Sequence, residues 1–299
     1  MQEKFINSFD GKRIYCYLWD DVARPIGIVQ IFHGMAEHAK RYDDFAKALN
    51  KAGFIVFADD HRGHGKTPEG GKKLGTYEGK DIFYDTVKDE IFFTKMLKEK
   101  YQLPLYVLGH SYGSFLAQEY ITKCDSYDKV IICGSALMKG RLDVTFGLML
   151  AWFLNLAANK KEAKLIEKIN YSNYNKLVKK GSWLNTDDEE VKKYYADEYN
   201  GKPLSNRFYF NMFNGFRHMY KKSAIKNIPK DKPIFLIAGE NDPVGSMSKS
   251  VKALYEFYRK NGMKSVKMKI YPDARHEILN EPRIKQQVYQ DIIEFIKNK

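Results

Sequence analysis

Cysteine is scarce in this 299-residue chain: Cys16, Cys124 and Cys133 are an odd number with no C-x-x-C spacing, and two of them sit in apolar, strand-like runs. Neither a disulfide framework nor a thiolate metal site is expected. Long apolar stretches are lacking too. The most hydrophobic one, Val144 to Ala158, is uncharged but falls short of the ~20 residues a bilayer span requires. The opening residues Met1 to Asn7 carry charge at once and hold no apolar signal core, so a cytoplasmic location is expected. Acidic residues are also in deficit, 37 Asp+Glu against 50 Lys+Arg, a formal charge of +13. Such an excess raises the question of a polyanionic partner. The lysines between 160 and 193, however, are interleaved with Glu162, Glu167, Asp187, Asp188, Glu189 and Glu190, which reads as a solvated helical surface. No nucleic-acid partner is expected, and a transient contact with anionic lipid surfaces is the remaining use for the charge. With 44% hydrophobic and 29% charged residues, the composition excludes a disordered or fibrous chain.

What is present is an alternation of short apolar runs with helix-period segments, the pattern of a mainly parallel sheet covered on both faces. The runs are 27–32, 54–58, 105–108, 129–133, 233–238 and 266–271, and Phe9 to Ile14 reads as a turn between two antiparallel edge strands. Phe45, Ala48 and Leu49 mark one helix, and Ile82, Phe83, Val87, Ile91, Phe92 and Met96 a longer one. The alternation stops near Lys139 and resumes at Pro233. The expected organisation is therefore an α/β catalytic domain of residues 1–137 and 228–299, with residues 138–227 inserted after the sixth strand as a helical cap. Two compatible readings apply to Val144–Ala158: a plain buried cap helix, or the ceiling of an apolar tunnel with an interfacial contact for lipids.

The sharpest local signal is Gly109-His110-Ser111-Tyr112-Gly113, directly after an apolar strand and before a helical run. G-x-S-x-G in that setting is a nucleophile elbow, and it makes Ser111 the candidate nucleophile. A serine hydroxyl needs a neutral imidazole to take its proton and an acid to hold the imidazole's tautomer. Of seven histidines only His276 follows the last strand, where a loop returns it to the strand ends. The segment Ala238 to Val244 offers Asp242, favoured as the acid, and Glu240, the lesser candidate; Asp273 reads as a turn residue. Oxyanion donors are expected from the backbone N–H groups of Tyr112, after the nucleophile, and Met35, in the loop after the 27–32 strand. His33 reads as a brace for that loop. The two histidines His61 and His64, three apart beside Asp60, raise the question of a metal, but third and fourth ligands at suitable spacing are lacking and no metal site is expected. Glu37, His38 and Arg41 read as local structure.

Taken in order, His33-Gly34-Met35-Ala36-Glu37-His38, Arg41-Tyr42, Asp60-His61-Arg62-Gly63-His64-Gly65 and the elbow resemble the monoacylglycerol lipase and lysophospholipase branch of the α/β-hydrolases, the serine aminopeptidase S33 type. The resemblance spans 1–137 and 228–299. It implies the hydrolase fold, a helical cap, no cofactor, and hydrolysis of a small acyl ester such as a monoacylglycerol or lysophospholipid. It carries the nucleophile to Ser111, the acid to Asp242, the base to His276 and the oxyanion donors to Met35 and Tyr112. Ser114 stands where that branch usually has glycine, and Thr67 where serine is common. An aminopeptidase or a hydroxycinnamate-type esterase would use the same three residues. A non-catalytic hydrolase-fold receptor is disfavoured by the intact Ser/Asp/His set.

Overall fold

In the computed structural model, which describes residues 1–67, 74–178 and 180–298, each apolar run singled out above forms a strand. Lys179 of the basic stretch lies outside the described residues. An antiparallel hairpin of β1 (Gln2–Asn7) and β2 (Arg13–Trp19) turns through Gly11, whose φ of +79° suits glycine. The remaining strands are β3 (Gly27–Phe32), β4 (Phe54–Asp59), β5 (Leu105–His110), β6 (Lys129–Cys133), β7 (Ile234–Gly239) and β8 (Val266–Tyr271). Every residue of β3, β4, β5 and β7 is buried. That explains their unbroken hydrophobic sequences, because a parallel strand covered on both faces has no solvent side to alternate with.

Among the described residues the sheet has eight strands in the order β1-β2-β4-β3-β5-β6-β7-β8, parallel from β4 to β8. The chain leaves β3 for β4 on one side and later returns to lay β5 on the other. The winding therefore reverses between β3 and β5, and loops leaving their C-terminal ends diverge to open a crevice.

Helices cover both faces. α1 (Asp43–Lys51) lies on one face; α2 (Ile82–Tyr101) and α3 (Tyr112–Tyr120) lie on the other. Asp81 caps α2 by accepting from the N–H groups of Phe83 and Tyr84. Between β6 and β7 come α4 (Leu142–Ala158), α5 (Lys164–Leu177), α6 (Asp188–Ala196), α7 (Asn206–His218) and α8 (Lys222–Lys226). The chain ends with α9 (Lys249–Lys260) and α10 (Lys285–Lys297). One core packs the sheet against α2, α3, α9 and the inserted helices through Phe83, Leu116 and Leu254. The other packs it against α1 and α10 through Phe45, Leu49, Val288 and Ile292.

α4 departs from one of its two expected readings. Only Ala151 of this helix is buried, while Phe146, Trp152, Phe153 and Leu156 are 45–66% exposed, so it is not a plain buried helix. Its inner side rests on α7, where Gly147 allows the ring of Phe213 to approach closely. A run apolar on all sides has too many large side chains for its contacts with α7 and α5 to cover, and the surplus faces outward. No helix among the described residues is long and apolar enough to cross a membrane.

Candidate active site

The crevice is built from the loops that leave β3 and β5. At the end of β5, Ser111 adopts φ 52° and ψ −119° before α3 begins, a conformation that L-residues adopt only when their surroundings hold it. The Ser111 N–H donates to the Cys133 carbonyl at 3.0 Å. The flanking glycines let the turn close. A Cβ at Gly109 would lie 2.3 Å from the Gly113 carbonyl oxygen, and one at Gly113 would lie 2.0 Å from that of Phe32. Ser114, the unusual residue of the turn, is fully buried; its hydroxyl lies 2.5 Å from the Ser111 carbonyl and 2.7 Å from the Ser135 hydroxyl, tying the elbow to the loop after β6. Thr67 is likewise used locally, accepting from the Tyr15 N–H at 2.9 Å.

Two further loops converge on Ser111. His276, after β8, places Nε2 2.8 Å from the Ser111 hydroxyl, and its Nδ1 lies 3.0 Å from Asp242 Oδ2, in the loop after β7. The other Asp242 oxygen accepts from the Val244 N–H at 2.8 Å, so the carboxylate is fixed at both ends. This geometry selects the imidazole tautomer whose Nδ1–H donates to Asp242 and whose Nε2 is free to accept the serine proton. Asp242 is fully buried and His276 2% exposed. Burial opposes the charged ring, but the Asp242 carboxylate outweighs it and lifts His276 above its ordinary value. Glu240 stays outside this group, accepting from the Asp273 N–H at 3.3 Å on the surface. Asp273 itself turns with φ +58°.

Among the described residues, no internal acceptor takes the N–H of Met35 or of Tyr112, and both residues border the cavity at Ser111. The loop carrying Met35 is held from behind. Glu37 accepts from the Gly34 N–H at 2.5 Å and from the Tyr42 hydroxyl at 2.8 Å, and it pairs with Arg41. Arg41 also grips Glu277 with two nitrogens, at 2.7 and 3.0 Å. His33, fully buried, donates from Nδ1 to the Gly34 carbonyl at 2.7 Å and accepts the His61 N–H at Nε2. Burial, with His61 and His64 nearby, holds His33 well below its ordinary value, so it is a neutral brace.

Two cavities meet at Ser111. The larger, about 500 Å³, runs beneath α4, α5 and α7 between Phe115, Val144, Leu150, Ile166, Met212 and Phe213. The smaller, about 240 Å³, is bordered by Glu37, Glu277, Glu167, Tyr194 and Trp183. The Trp183 ring lies 5.1 Å from that of His276. Glu277 sits next to the histidine in sequence but carries no motif. Glu167 and Trp183 come from the inserted segment, and only the folded chain brings them here.

A separate buried group forms where β4 meets α2. Asp59, His61 and Glu90 place one ligand-type atom each within 4.8 Å of one another, all fully buried. Of Asp60, His61 and His64 only His61 belongs to this group; Asp59 and Glu90, 31 residues apart, are not revealed by local spacing. Burial and the charge of Asp59 push Glu90 well above the ordinary carboxyl value, so it retains a proton. The folded state thus binds a proton that the unfolded state releases near pH 4.3. Stability is present in full below that pH and falls as pH rises toward the folded-state value, by at most about 1.4 kcal/mol per unit. Glu90→Gln keeps a neutral partner for Gln30, which donates to Glu90 at 2.6 Å. Calorimetry should find that the melting temperature of Glu90→Gln gains on the wild type between pH 5 and pH 8; parallel curves would place the proton elsewhere.

A serine on a strained turn at the switch point of a parallel sheet, with a histidine and an aspartate delivered by the last two strand loops, is the constellation of the α/β-hydrolase class. The chain belongs to the serine aminopeptidase S33 family, whose model matches residues 23–283. It is 28% identical to the monoglyceride lipase homolog of Monkeypox virus, across 98% of this chain and 97% of that one. It is 26% identical to the monoglyceride lipase of Homo sapiens, across 95% and 86%. Among solved structures it is similar to a thermostable carboxyl esterase from Bacillus coagulans in complex with glycerol, with a TM-score of 0.89, 29% identity, and 99% and 97% of the two chains covered.

Proposed function

We propose that this chain is a carboxylic ester hydrolase that cleaves monoacylglycerol-type lipids, with Ser111 as nucleophile, His276 as base, Asp242 as its orienting acid, and Met35 and Tyr112 as oxyanion donors. The observation that carries the reading is the 2.8 Å contact between Ser111 and His276 at the junction of one apolar and one polar cavity. An acyl chain fits the first, and a small hydroxylated alcohol fits the second. The lipase names of the relatives, and the glycerol complex of the similar Bacillus coagulans esterase, support a monoacylglycerol-type substrate. A peptide substrate is less well served, because an acyl chain, not a main chain, matches the apolar lining.

Ser111 Oγ attacks the ester carbonyl carbon while its proton passes to His276 Nε2. The oxyanion rests on the N–H groups of Met35 and Tyr112, each worth roughly 3–4 kcal/mol of transition-state stabilisation. The carbon–oxygen bond to the alcohol breaks as His276 returns the proton to that oxygen, leaving an acyl-serine. Water, deprotonated by His276, attacks the acyl carbon; the fatty acid leaves and Ser111 recovers its proton. Rates across monoacylglycerols of increasing chain length test the reading: kcat/KM should rise with chain length until the apolar cavity is filled, and a flat series would contradict it.

Residues 138–227 act in this reading as the cap over a catalytic domain of 1–137 and 228–299. The outward apolar side chains of α4 serve as a transient contact with lipid surfaces, where such substrates reside. Phe153 and Leu156 are about two-thirds exposed and border neither cavity. Each large side chain buried in a membrane interface contributes about 1.5–3 kcal/mol. Phe153→Asp should therefore weaken binding to phosphatidylcholine vesicles by tenfold or more in a flotation assay, with turnover of soluble p-nitrophenyl butyrate unchanged. Equal vesicle binding would remove the role from α4.

A further inference from the structure

Outside the two cavities at Ser111, a cleft between the first half of α4 and the end of α7 encloses about 430 Å³. Val144, Leu148 and Met149 of α4 line it together with Phe216 of α7, and Met149 is left 47% exposed. Four cationic side chains stand at its border, Lys139, Arg141, Arg217 and Lys221, and among the described residues no carboxylate does. Arg141 is neutralised by Asp143, which accepts from its Nε at 3.0 Å. Lys139 rests 5.4 Å from the centre of the Phe257 ring, and neither it nor Arg217 nor Lys221 has an ion-pair partner among the described residues. Their field is felt nearby: burial, with the charges of Lys221 and Arg217, holds His218 below its ordinary value. Like charges gathered around an apolar slot repel one another, and the slot itself exposes apolar surface to water. A neutral alkyl chain would relieve only the second cost and an inorganic anion only the first. An alkyl chain that ends in a carboxylate relieves both. The cleft is slightly smaller than the acyl cavity of about 500 Å³, a size that suits one chain and not the two of a diacyl phospholipid.

We infer that this cleft is a second lipid site that takes the anion of a fatty acid, with its chain along Val144, Leu148 and Met149 and its carboxylate among Lys139, Arg217 and Lys221. Met138, Arg141, Val144 and Phe216 border both the cleft and the acyl cavity, so a single wall separates the two. Among the described residues that border the acyl cavity the one cation is Arg141, already paired with Asp143. A carboxylate released beside Ser111 therefore gains unpaired cations only by crossing to the cleft. That the anion is the chain's own reaction product rests on the ester-hydrolase reading; that the cleft takes an alkyl carboxylate does not.

The test is photolabelling of the whole chain by decanoic acid carrying a diazirine near the end of its chain, below its micellar concentration and without vesicles, with labelled residues mapped by mass spectrometry. Leu148 and Met149 border the cleft but not the acyl cavity, whereas Ile166 and Met212 border only the acyl cavity, so the two sites are read separately. Label should appear at Leu148 or Met149. Decanoate should compete for it roughly tenfold better than octanoate, through two more buried methylenes, and decyltrimethylammonium, with the same chain and the opposite charge, should not compete at equal concentration. The double variant Arg217→Gln/Lys221→Gln should lower this labelling about tenfold while labelling at Ile166 and Met212, turnover of p-nitrophenyl butyrate and the melting temperature stay as in the wild type. Label confined to the acyl cavity, undiminished label at Leu148 and Met149 in the double variant, or equal competition by decyltrimethylammonium would overturn the site. Label there only after phosphatidylglycerol vesicles are added would assign the cations to a membrane surface and overturn it as well. Failure of the ester-hydrolase reading is seen elsewhere, as absence of turnover with 1-decanoylglycerol, and leaves the labelling pattern to be judged separately.

Discussion

Ser111→Ala should lower kcat for 1-decanoylglycerol by about 10⁶-fold, the loss expected when a nucleophile that acts together with its base is removed. The size follows from the geometry. Among the described residues Ser111 is the hydroxyl hydrogen-bonded to His276 Nε2, so without it hydrolysis would proceed by direct attack of water, helped only by the oxyanion donors and by binding. Alanine fits the turn: it shares the Cβ of serine, and the φ of 52° is imposed by the close contacts of Gly109 and Gly113 whichever side chain follows. The variant should therefore melt as the wild type does and bind decylglycerol ether with similar affinity. A residual kcat within a hundredfold of wild type would mean that another residue carries the covalent step.

Asp242→Asn should cost about 10⁴-fold in kcat with little change in KM. The Asn amide presents an N–H where Asp242 now accepts from His276 Nδ1, and the 3.0 Å contact would hold only if the ring adopted the opposite tautomer. Nε2 would then carry a hydrogen directed at Ser111 and could not receive its proton. The pH profile makes the same point independently. In the proposed mechanism activity needs neutral His276, and the carboxylate raises its pKa, so wild-type kcat/KM should climb through a midpoint above the usual 6.5. Without the carboxylate, burial acts unopposed and the midpoint of the residual activity should fall below that of the wild type. An unshifted midpoint would mean that Asp242 does not govern His276.

Much of this was legible because it is local. The six parallel strands are short runs bounded by turns, largely buried from β3 to β7 and partly exposed at the edge strand β8, and their limits in the fold lie within two residues of those read from the pattern. The elbow is equally local, since Gly109, Ser111 and Gly113 are fixed by contacts within one turn and the adjoining strand. Ser111, Asp242 and His276 are separated by up to 165 residues, yet each stands in the loop that follows a strand, and strand order brings those loop positions to one edge. The helical segment between β6 and β7 was not legible in this way. Glu167 and Trp183 have no periodicity or motif that points inward; their places depend on how α5 and the segment after it cross the crevice. The orientation of α4 was hidden for a related reason, because a run without polar residues has no moment to tell which side faces the protein. Glu90 was invisible since its partner Asp59 is 31 residues away and both look like ordinary surface acids until β4 and α2 pack together.

The most direct measurement follows decanoate release from 1-decanoylglycerol while a fluorophosphonate modifies the enzyme, with the labelled peptide identified by mass spectrometry. Activity should fall in linear proportion to labelling and reach zero at one label per chain, on Ser111. Turnover that survives complete modification of Ser111, or no decanoate release before labelling begins, would contradict the proposed mechanism.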